Sequence, residues 1–152
     1  AKGWAMTGWR LGYLAGHQNV IKAAAALQSQ STSNVCSFAQ IGALAAVQGP
    51  RDCVYAMAES YNRRRRLLTE GLQAIPGITL VEPRGAFYAF PQLPESAGRS
   101  MDFCRRALEQ AGLAVVPGLA FGDDFCIRLS CAVSRETIRD GLSRLRELLG
   151  AT

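Results

Sequence analysis

The stretch ITLVEPRGAFYAFP, residues 78–91, decides the fold of the part of the chain that follows it. Its two ends, ITLVE (78–82) and AFYAFP (86–91), are rich in β-branched and aromatic residues, which is typical of strands. The Pro-Arg-Gly between them is typical of a turn. We therefore expect two consecutive strands, which begin just after a helical pattern stops at Pro76 and Gly77.

The pattern downstream alternates between helix and strand. Residues 101–110 favour a helix, residues 113–117 and 126–132 favour strands, and Ser134 is placed to cap a final helix. From residue 78 onward the predicted order is therefore β-β-α-β-β-α. This order predicts an α+β fold, in which helices pack on a small mixed sheet.

The upstream part of the chain favours helices. An alanine-rich run at 20–30 and an apolar run that ends at Gly49 predict two helices, and apolar residues at helical spacing predict a longer one over 52–74. Ahead of them, residues 1–9 have the composition of a loop, and RLGYLA (10–15) fits a short strand. We expect these upstream elements to complete a sheet that is formed elsewhere.

Composition excludes several classes of protein. The 152 residues have a formal net charge of +5; only 19% are charged and 49% are apolar, which provides for a packed core and argues against charge-driven disorder. No apolar run approaches the ~18 residues that a membrane-spanning helix needs, so we expect no membrane partner. The chain begins with Ala1 rather than Met, which we interpret as a piece of something longer.

The cysteines and the single histidine form no recognisable site. No two cysteines form a C-x-x-C pair, and His17 has no second histidine beside it, so we expect no metal. His17 is interpreted as a solvent-facing residue at a helix start. We expect the thiols to be reduced and buried, in a reducing compartment, the cytoplasm; they belong to Cys36, Cys53, Cys104, Cys126 and Cys131.

Four consecutive arginines, Arg63 to Arg66, are the strongest charge feature. They could form a phosphate or nucleic-acid patch. No aromatic residues are interleaved with them, so we favour a solvated helix face with pairs to Glu59 and Glu70, and expect no nucleic-acid partner. Because four successive residues cover every side of a helix, at least one of them must lie near the core.

The segment KGWAMTGWRLGY, residues 2–13, places a lysine and an arginine in a setting rich in Gly and Trp. An amine that apolar neighbours shield from water is a good nucleophile and can form a Schiff base, and a guanidinium can grip a phosphate. These two residues, Lys2 and Arg10, are eight positions apart. They can share a site only if the loop turns back, which Gly8 permits.

This segment resembles the lysine motif S-K-x-x-x-M-T-G-W-R-x-G-Y of the class I aminotransferases, fold-type-I enzymes that use pyridoxal 5'-phosphate. The resemblance implies that Lys2 forms the Schiff base with the cofactor and moves the proton during catalysis. It also implies that Arg10 anchors the cofactor phosphate. Ala1 departs from the motif, which usually has serine before the lysine.

Further matches follow along the chain. Residues 127–130, IRLS, are similar to the family's I-R-L/I-S, and the resemblance implies that Arg128 binds the substrate α-carboxylate. A planar guanidinium can do so through two parallel hydrogen bonds; the alternative is a strand arginine in a structural ion pair. The other matching stretches are LQSQSTSN (27–34), GAFYAFP (85–91) and VPGLAFG (116–122).

The resemblance is to the C-terminal part of such an enzyme, closest to the bacterial aspartate aminotransferases. It implies that residues 1–50 end a large α/β cofactor-binding domain and that residues 51–152 form a C-terminal small domain. It further implies a homodimer that moves an amino group between an amino acid and a 2-oxo acid. The substrate pair stays open, with aspartate-like donors or aromatic precursors such as prephenate or arogenate first, and with aromatic and alanine-type donors also possible. We expect this chain alone to be inactive.

Two other interpretations stay open. One is the aminotransferase-like domain of a transcription regulator, which senses pyridoxal phosphate without turnover and which an upstream DNA-binding helix-turn-helix would reveal. The other is a folded small domain with no site of its own, because a site so close to a chain end frays.

Overall fold

The chain divides into two compact units, Ala1–Met57 and Ala58–Thr152, and the computed structural model describes residues 1–150 of it. Among these described residues, no helix is both long enough and apolar enough to span a membrane.

The first unit is built from helices. α1 (Gln18–Ser31) and α2 (Ser37–Gln48) follow a pair of 3₁₀ turns, and α3 (Asp52–Gln73) begins at the end of the unit. The three helices predicted for this part of the chain are confirmed. Residues 10–15 have no regular secondary structure, so the strand predicted there is wrong. A strand needs hydrogen bonds to a neighbouring strand, and this unit contains none.

α1 starts with a side-chain cap. His17 is the N-cap residue, and its Nδ1 accepts a hydrogen bond from the backbone N–H of Asn19 at 3.3 Å. One of the free N–H groups of the first turn is thereby satisfied. The imidazole is exposed, so the interpretation of His17 as a solvent-facing residue at a helix start is confirmed.

The second unit combines helices with a small sheet. Its helices are the C-terminal part of α3, α4 (Ser100–Ala111) and α5 (Arg135–Leu148), and its strands are β1 (Tyr88–Ala89), β2 (Val116–Pro117) and β3 (Ile127–Ser130). A 3₁₀ turn, Gly118–Phe121, follows β2 directly. The predicted helices and the α+β architecture with a small sheet are therefore confirmed.

The sheet is antiparallel, not mixed. β3 lies between β1 and β2, with Tyr88 opposite Ser130 and Val116 opposite Arg128. The expectation of a mixed sheet is wrong for a topological reason. β1, α4 and β2 do form a strand–helix–strand unit whose strands run in the same direction, but β3 inserts between these strands and runs opposite to both.

The first of the two consecutive strands predicted after α3 is reduced to a single bridge. Thr79 and Gln92 exchange backbone hydrogen bonds, from the N–H of Thr79 at 3.1 Å and from the N–H of Gln92 at 2.8 Å. Beyond this bridge, Nη1 of Arg65 donates to the carboxylate of Glu82 at 2.6 Å and to the carbonyl oxygen of Pro83 at 3.1 Å. Contacts with α3 thus replace the strand ladder that the composition predicts.

One apolar core holds the second unit together. Leu72 of α3, Phe103 of α4, Ile127 of β3 and Leu145 of α5 are fully buried. All four belong to the same cluster of buried residues, so each of these elements contributes a side chain to it. Burying one large apolar side chain stabilises a protein by about 1.5–3 kcal/mol. The cluster therefore fixes how the helices and the sheet of this unit are arranged.

The arginine run faces partly inward, as predicted. Arg64 is half-buried, and its Nη1 donates to the carbonyl oxygen of Val133, just before α5, at 3.0 Å. Arg63 keeps the predicted pair with Glu59, at 3.5 Å, on the exposed side of the helix. The described residues give Glu70 no ion pair, so the second predicted pair is absent there.

The thiols are free, but only some of them are buried. Cys126 and Cys131 are buried, Cys104 is half-buried, and Cys36 and Cys53 are exposed. The expectation of buried thiols is therefore wrong for two of the five cysteines, because these two lie at the exposed starts of α2 and α3.

We expect Phe103→Ala to lower the free energy of unfolding by about 3–5 kcal/mol, because it removes a fully buried ring from the core. Leu108→Ala on the same helix is the matched control. Leu108 is 58% exposed, so its truncation should cost well under ~1 kcal/mol. Urea denaturation followed by circular dichroism measures both variants. Equal losses in the two would contradict this description of the core.

We expect thiol labelling with iodoacetamide at about pH 8 to divide the cysteines by burial. Cys36 and Cys53 should react, and Cys126 and Cys131 should stay unlabelled in the folded protein. Burial raises the pKa of Cys126 to about 11, and a hydrogen bond and the negative charge of Asp123 add to the rise, so almost no thiolate forms at the labelling pH. Mass spectrometry of the peptides locates the labels; early labelling of Cys126 would contradict its buried position.

Candidate functional site

The loop that carries Lys2 and Arg10 folds back on itself. It consists of two 3₁₀ turns, Lys2–Trp4 and Thr7–Trp9, and the second is closed by the N–H of Arg10, which donates to the carbonyl oxygen of Thr7 at 3.4 Å. The reversal expected from the sequence is therefore confirmed.

The loop turns back at different residues from Gly8, the one expected. Gly8 is not among the residues with positive φ; the left-handed residues of this loop are Ala5 (φ 53°) and Arg10 (φ 52°). A side chain in this region costs roughly 1–2 kcal/mol. Strained residues of this kind cluster at functional sites, and Arg10 is one of the two in this loop.

Trp9 anchors this loop on α2. Its indole ring lies against Gly42, where a Cβ would collide with the ring. A glycine is therefore required for the ring to approach the helix backbone this closely. Because Arg10 directly follows Trp9, the same contact fixes where the Arg10 side chain begins.

Lys2 and Arg10 line one open pocket of about 650 Å³. A space of this size accommodates a small cofactor. Two cations line it, so an anionic ligand is the one that the pocket favours. Lys2 is exposed. The shielding of its amine by apolar neighbours, which the sequence suggested, is therefore not found in this chain. The other residues that line the pocket are Ala1, Gly3, Thr7 and Leu11.

The guanidinium of Arg10 has hydrogen-bond donors available. Its Nη1 donates to the carbonyl oxygen of Thr7 at 3.3 Å, and the described residues give Arg10 no carboxylate partner. A guanidinium has five N–H donors, and its planar fork matches a phosphate. An amine and a guanidinium in one pocket therefore suit a carbonyl compound that bears a phosphate.

Within residues 1–150, no group of three or more His, Cys, Asp or Glu side chains is placed to hold a metal ion.

Arg128 contacts two aromatic rings in the second unit. It is half-buried in β3, and its Cζ lies 4.5 Å from the centroid of the Tyr88 ring and 4.4 Å from that of the Phe121 ring. We call these two rings the aromatic clamp. Cation–π contacts hold a guanidinium without using its N–H donors. The described residues give Arg128 no ion pair.

The aromatic clamp comes from two elements that are distant in sequence. Tyr88 lies in β1, which pairs with β3, and Phe121 is the last residue of the 3₁₀ turn after β2. The sequence motifs include both residues but do not reveal that they contact Arg128. That contact depends on the register of the strands, which no local pattern encodes.

The structure brings two of the three predicted site residues together. Lys2 and Arg10 share a pocket of the first unit, and Arg128 lies in the second unit in a setting of its own. Their catalytic, cofactor-binding and substrate-binding roles stay predictions.

Comparison with known proteins points to one family. The family model described as aminotransferase class I and II matches residues 1–145. The probable aspartate/prephenate aminotransferase of Aquifex aeolicus is 44% identical, and the match covers 98% of this chain. It covers 39% of the Aquifex protein, so the chain spans about two fifths of the length of that relative.

Solved structures show the same relationship. The aspartate aminotransferase of Thermus thermophilus determined with maleate is 43% identical, with a TM-score of 0.91 over 97% of this chain and 39% of its own. The aromatic aminotransferase of Pyrococcus horikoshii is 34% identical, with a TM-score of 0.92 over 97% of this chain and 40% of its own. Both are similar to this chain in sequence and in fold.

Proposed function

The chain belongs to the aminotransferase class I and II family, and on that basis we propose that it is part of an enzyme that moves an amino group from an amino acid to a 2-oxo acid. The observation that carries the proposal is the pocket that Lys2 and Arg10 line together. The names of the relatives support aspartate-like or aromatic-precursor donors as the substrate class.

Aminotransferases of this family depend on pyridoxal 5'-phosphate. The residues of the pocket fit this group, since an amine suits its aldehyde and a guanidinium suits its phosphate. When bound, the cofactor takes up the electron pair released at the substrate Cα. The tasks left to the protein are binding, orientation and proton transfer.

We assign Lys2 two tasks at one atom. Its Nζ would hold the cofactor through the aldehyde, and the same amine would move the proton at the substrate Cα. Arg10 would hold the other end of the cofactor, where the N–H donors of its guanidinium would bind the phosphate.

Arg128 is the group that orients the substrate. Its guanidinium binds the α-carboxylate through two parallel hydrogen bonds. The aromatic clamp supports this assignment, because it contacts the guanidinium and leaves the N–H donors to the ligand. An amino acid held by its carboxylate presents its Cα in a fixed orientation.

The proposal includes the predicted organisation. Residues 1–50 would end a large α/β cofactor-binding domain, and residues 51–152 would form the small domain of a homodimer. Large apolar side chains are exposed on α1 and α2, namely Leu27 (71%), Phe38 (72%) and Ile41 (70%), and further protein covers such surfaces. The five free cysteines support a reducing compartment, the cytoplasm.

The alternatives differ in what they require. A cofactor-sensing domain of a transcription regulator is not favoured, because the relatives compared above have the names of enzymes. The inactive fragment is what we propose for this chain taken alone. The chain covers 39% of the Aquifex relative, and Lys2 is exposed.

We expect the cofactor to attach at Lys2 and not at Lys22, the only other lysine of the chain. The complete protein that contains this chain is loaded with pyridoxal phosphate and reduced with borohydride, and its peptides are mapped. Lys2→Ala should abolish the label on this chain and the visible absorption band of the bound cofactor. Lys22→Ala is the matched control and should change neither, because Lys22 lies in α1 and does not line the pocket.

Circular dichroism of both lysine variants excludes a loss of fold. Label shared equally between the two lysines, or a label that survives in Lys2→Ala, would contradict the proposed attachment. Label confined to Lys2 without transamination of aspartate and 2-oxoglutarate would favour the sensing alternative.

We expect Arg10→Ala and Arg128→Ala to separate cofactor binding from substrate binding. Arg10→Ala should weaken pyridoxal phosphate binding about ten-fold or more, because hydrogen bonds to a charged group contribute about 1.5–3 kcal/mol. Arg128→Ala should leave the cofactor Kd unchanged and raise KM for aspartate to a similar degree. Absorption titration and steady-state kinetics measure the two effects. The assignment fails if both variants change both constants equally.

A further inference from the structure

Ser100, the first residue of α4, is a fully buried polar residue in the second unit. Its hydroxyl donates to Oδ1 of Asp124 at 2.7 Å and accepts a hydrogen bond from the N–H of Leu119 at 3.2 Å. Its backbone N–H donates to the carbonyl oxygen of Asp124 at 2.8 Å. One buried residue thus contacts the segment 118–124 at two points.

Backbone hydrogen bonds also close this segment on itself. The N–H of Gly118 donates to the carbonyl oxygen of Cys126 at 2.8 Å, and the N–H of Asp123 donates to the carbonyl oxygen of Gly118 at 3.2 Å. A Cβ on Gly118 would collide with both carbonyl oxygens that face it, those of Asp123 and Cys126. The backbone between Leu119 and Asp124 therefore has little freedom while Ser100 holds it.

This segment carries one half of the aromatic clamp. Phe121 lies between the two points that Ser100 holds, and its ring centroid is 4.4 Å from Cζ of Arg128. Phe121 is 49% exposed, so burial alone does not fix the position of its ring. That position depends on the backbone of the segment 118–124 and on an edge-on contact with the Phe90 ring, whose centroid lies 6.0 Å away.

We propose that Ser100 and Asp124 form a positioning pair, which holds the Phe121 ring against Arg128 so that this guanidinium is oriented to receive the substrate carboxylate. The inference rests on the proposed function, because it assigns Arg128 to substrate binding. Ser100 and Asp124 do not themselves touch the substrate; they act through Phe121 and Arg128.

The hydrogen bonds of Asp124, rather than its charge, carry this effect. Its only ion pair among the described residues is with Arg99, at 3.7 Å, and the Arg99 side chain is 60% exposed. A pair of this length, with its arginine largely in solvent, contributes little. An asparagine at position 124 keeps an oxygen that can accept from Ser100, whereas an alanine removes it.

The test uses the complete protein loaded with pyridoxal phosphate and compares Ser100→Ala, Asp124→Ala and Asp124→Asn with Asp102→Ala. Asp102 is the matched control. It is a carboxylate of α4, the helix that begins at Ser100, and its only described ion pair is an exposed one with Arg105. Hydrogen exchange at residues 118–122 reports on the segment without any catalysis. Maleate, a dicarboxylate that cannot react, gives a Kd from the change in cofactor absorption, and aspartate gives KM and kcat.

We expect Ser100→Ala and Asp124→Ala to speed hydrogen exchange at 118–122 and to raise both the maleate Kd and the aspartate KM about ten-fold. The kcat value should change less than about three-fold, because the reacting groups are untouched. Asp124→Asn should stay within about three-fold of the wild type in every constant. Asp102→Ala should resemble the wild type in all of them.

Three results would overturn the positioning pair. One is unchanged hydrogen exchange at 118–122 in Ser100→Ala and Asp124→Ala. Another is faster exchange with an unchanged maleate Kd, which would make the pair structural only. The third is an Asp124→Asn variant as impaired as Asp124→Ala, which would assign the effect to charge.

Failure of the proposed function is recognised separately. A wild type that binds no pyridoxal phosphate and does not respond to maleate would overturn that function, and the positioning pair with it. The exchange data on the variants would still report whether Ser100 and Asp124 order the segment.

Discussion

The second unit depends on the way β3 is held from two sides. Ile127 points into the core and is fully buried, and both neighbouring strands pair with β3 in antiparallel register. Successive side chains of a strand point to opposite faces, so burying Ile127 also directs Arg128 away from the core. The aromatic clamp then meets Arg128 on that face. One buried isoleucine thus decides where the neighbouring charge is presented.

The helices could be predicted because their signals are local. The apolar spacing of α3 and α5 and the cap at Ser134 lie within a few residues of one another, and Ser134 does accept a hydrogen bond from the N–H of Thr137 at 3.1 Å. The sheet could not be predicted to the same degree. Whether β3 inserts between its neighbours, and whether residues 78–82 pair or turn to α3, depends on partners far along the chain.

The candidate site, like the fold, can be predicted only in part from the sequence. The sequence identifies Lys2, Arg10 and Arg128 by their place in motifs, and the structure supplies the geometry around them. It does not identify Ser100 as a partner of Asp124, because 24 positions separate them and neither lies in a motif that marks the other. Contacts of this kind arise only once α4 and the segment before β3 are packed together.

The loop that Trp9 anchors on α2 has an optical consequence. The chain has two tryptophans, Trp4 and Trp9, and both lie in this loop of the first unit. Emission of this chain excited at the red edge of the absorption spectrum therefore originates beside Lys2 and Arg10, because the tyrosines of the second unit do not absorb there. The chain thus carries a built-in fluorescent reporter for one of its two units, and a ligand that enters the pocket would be sensed there without any added dye.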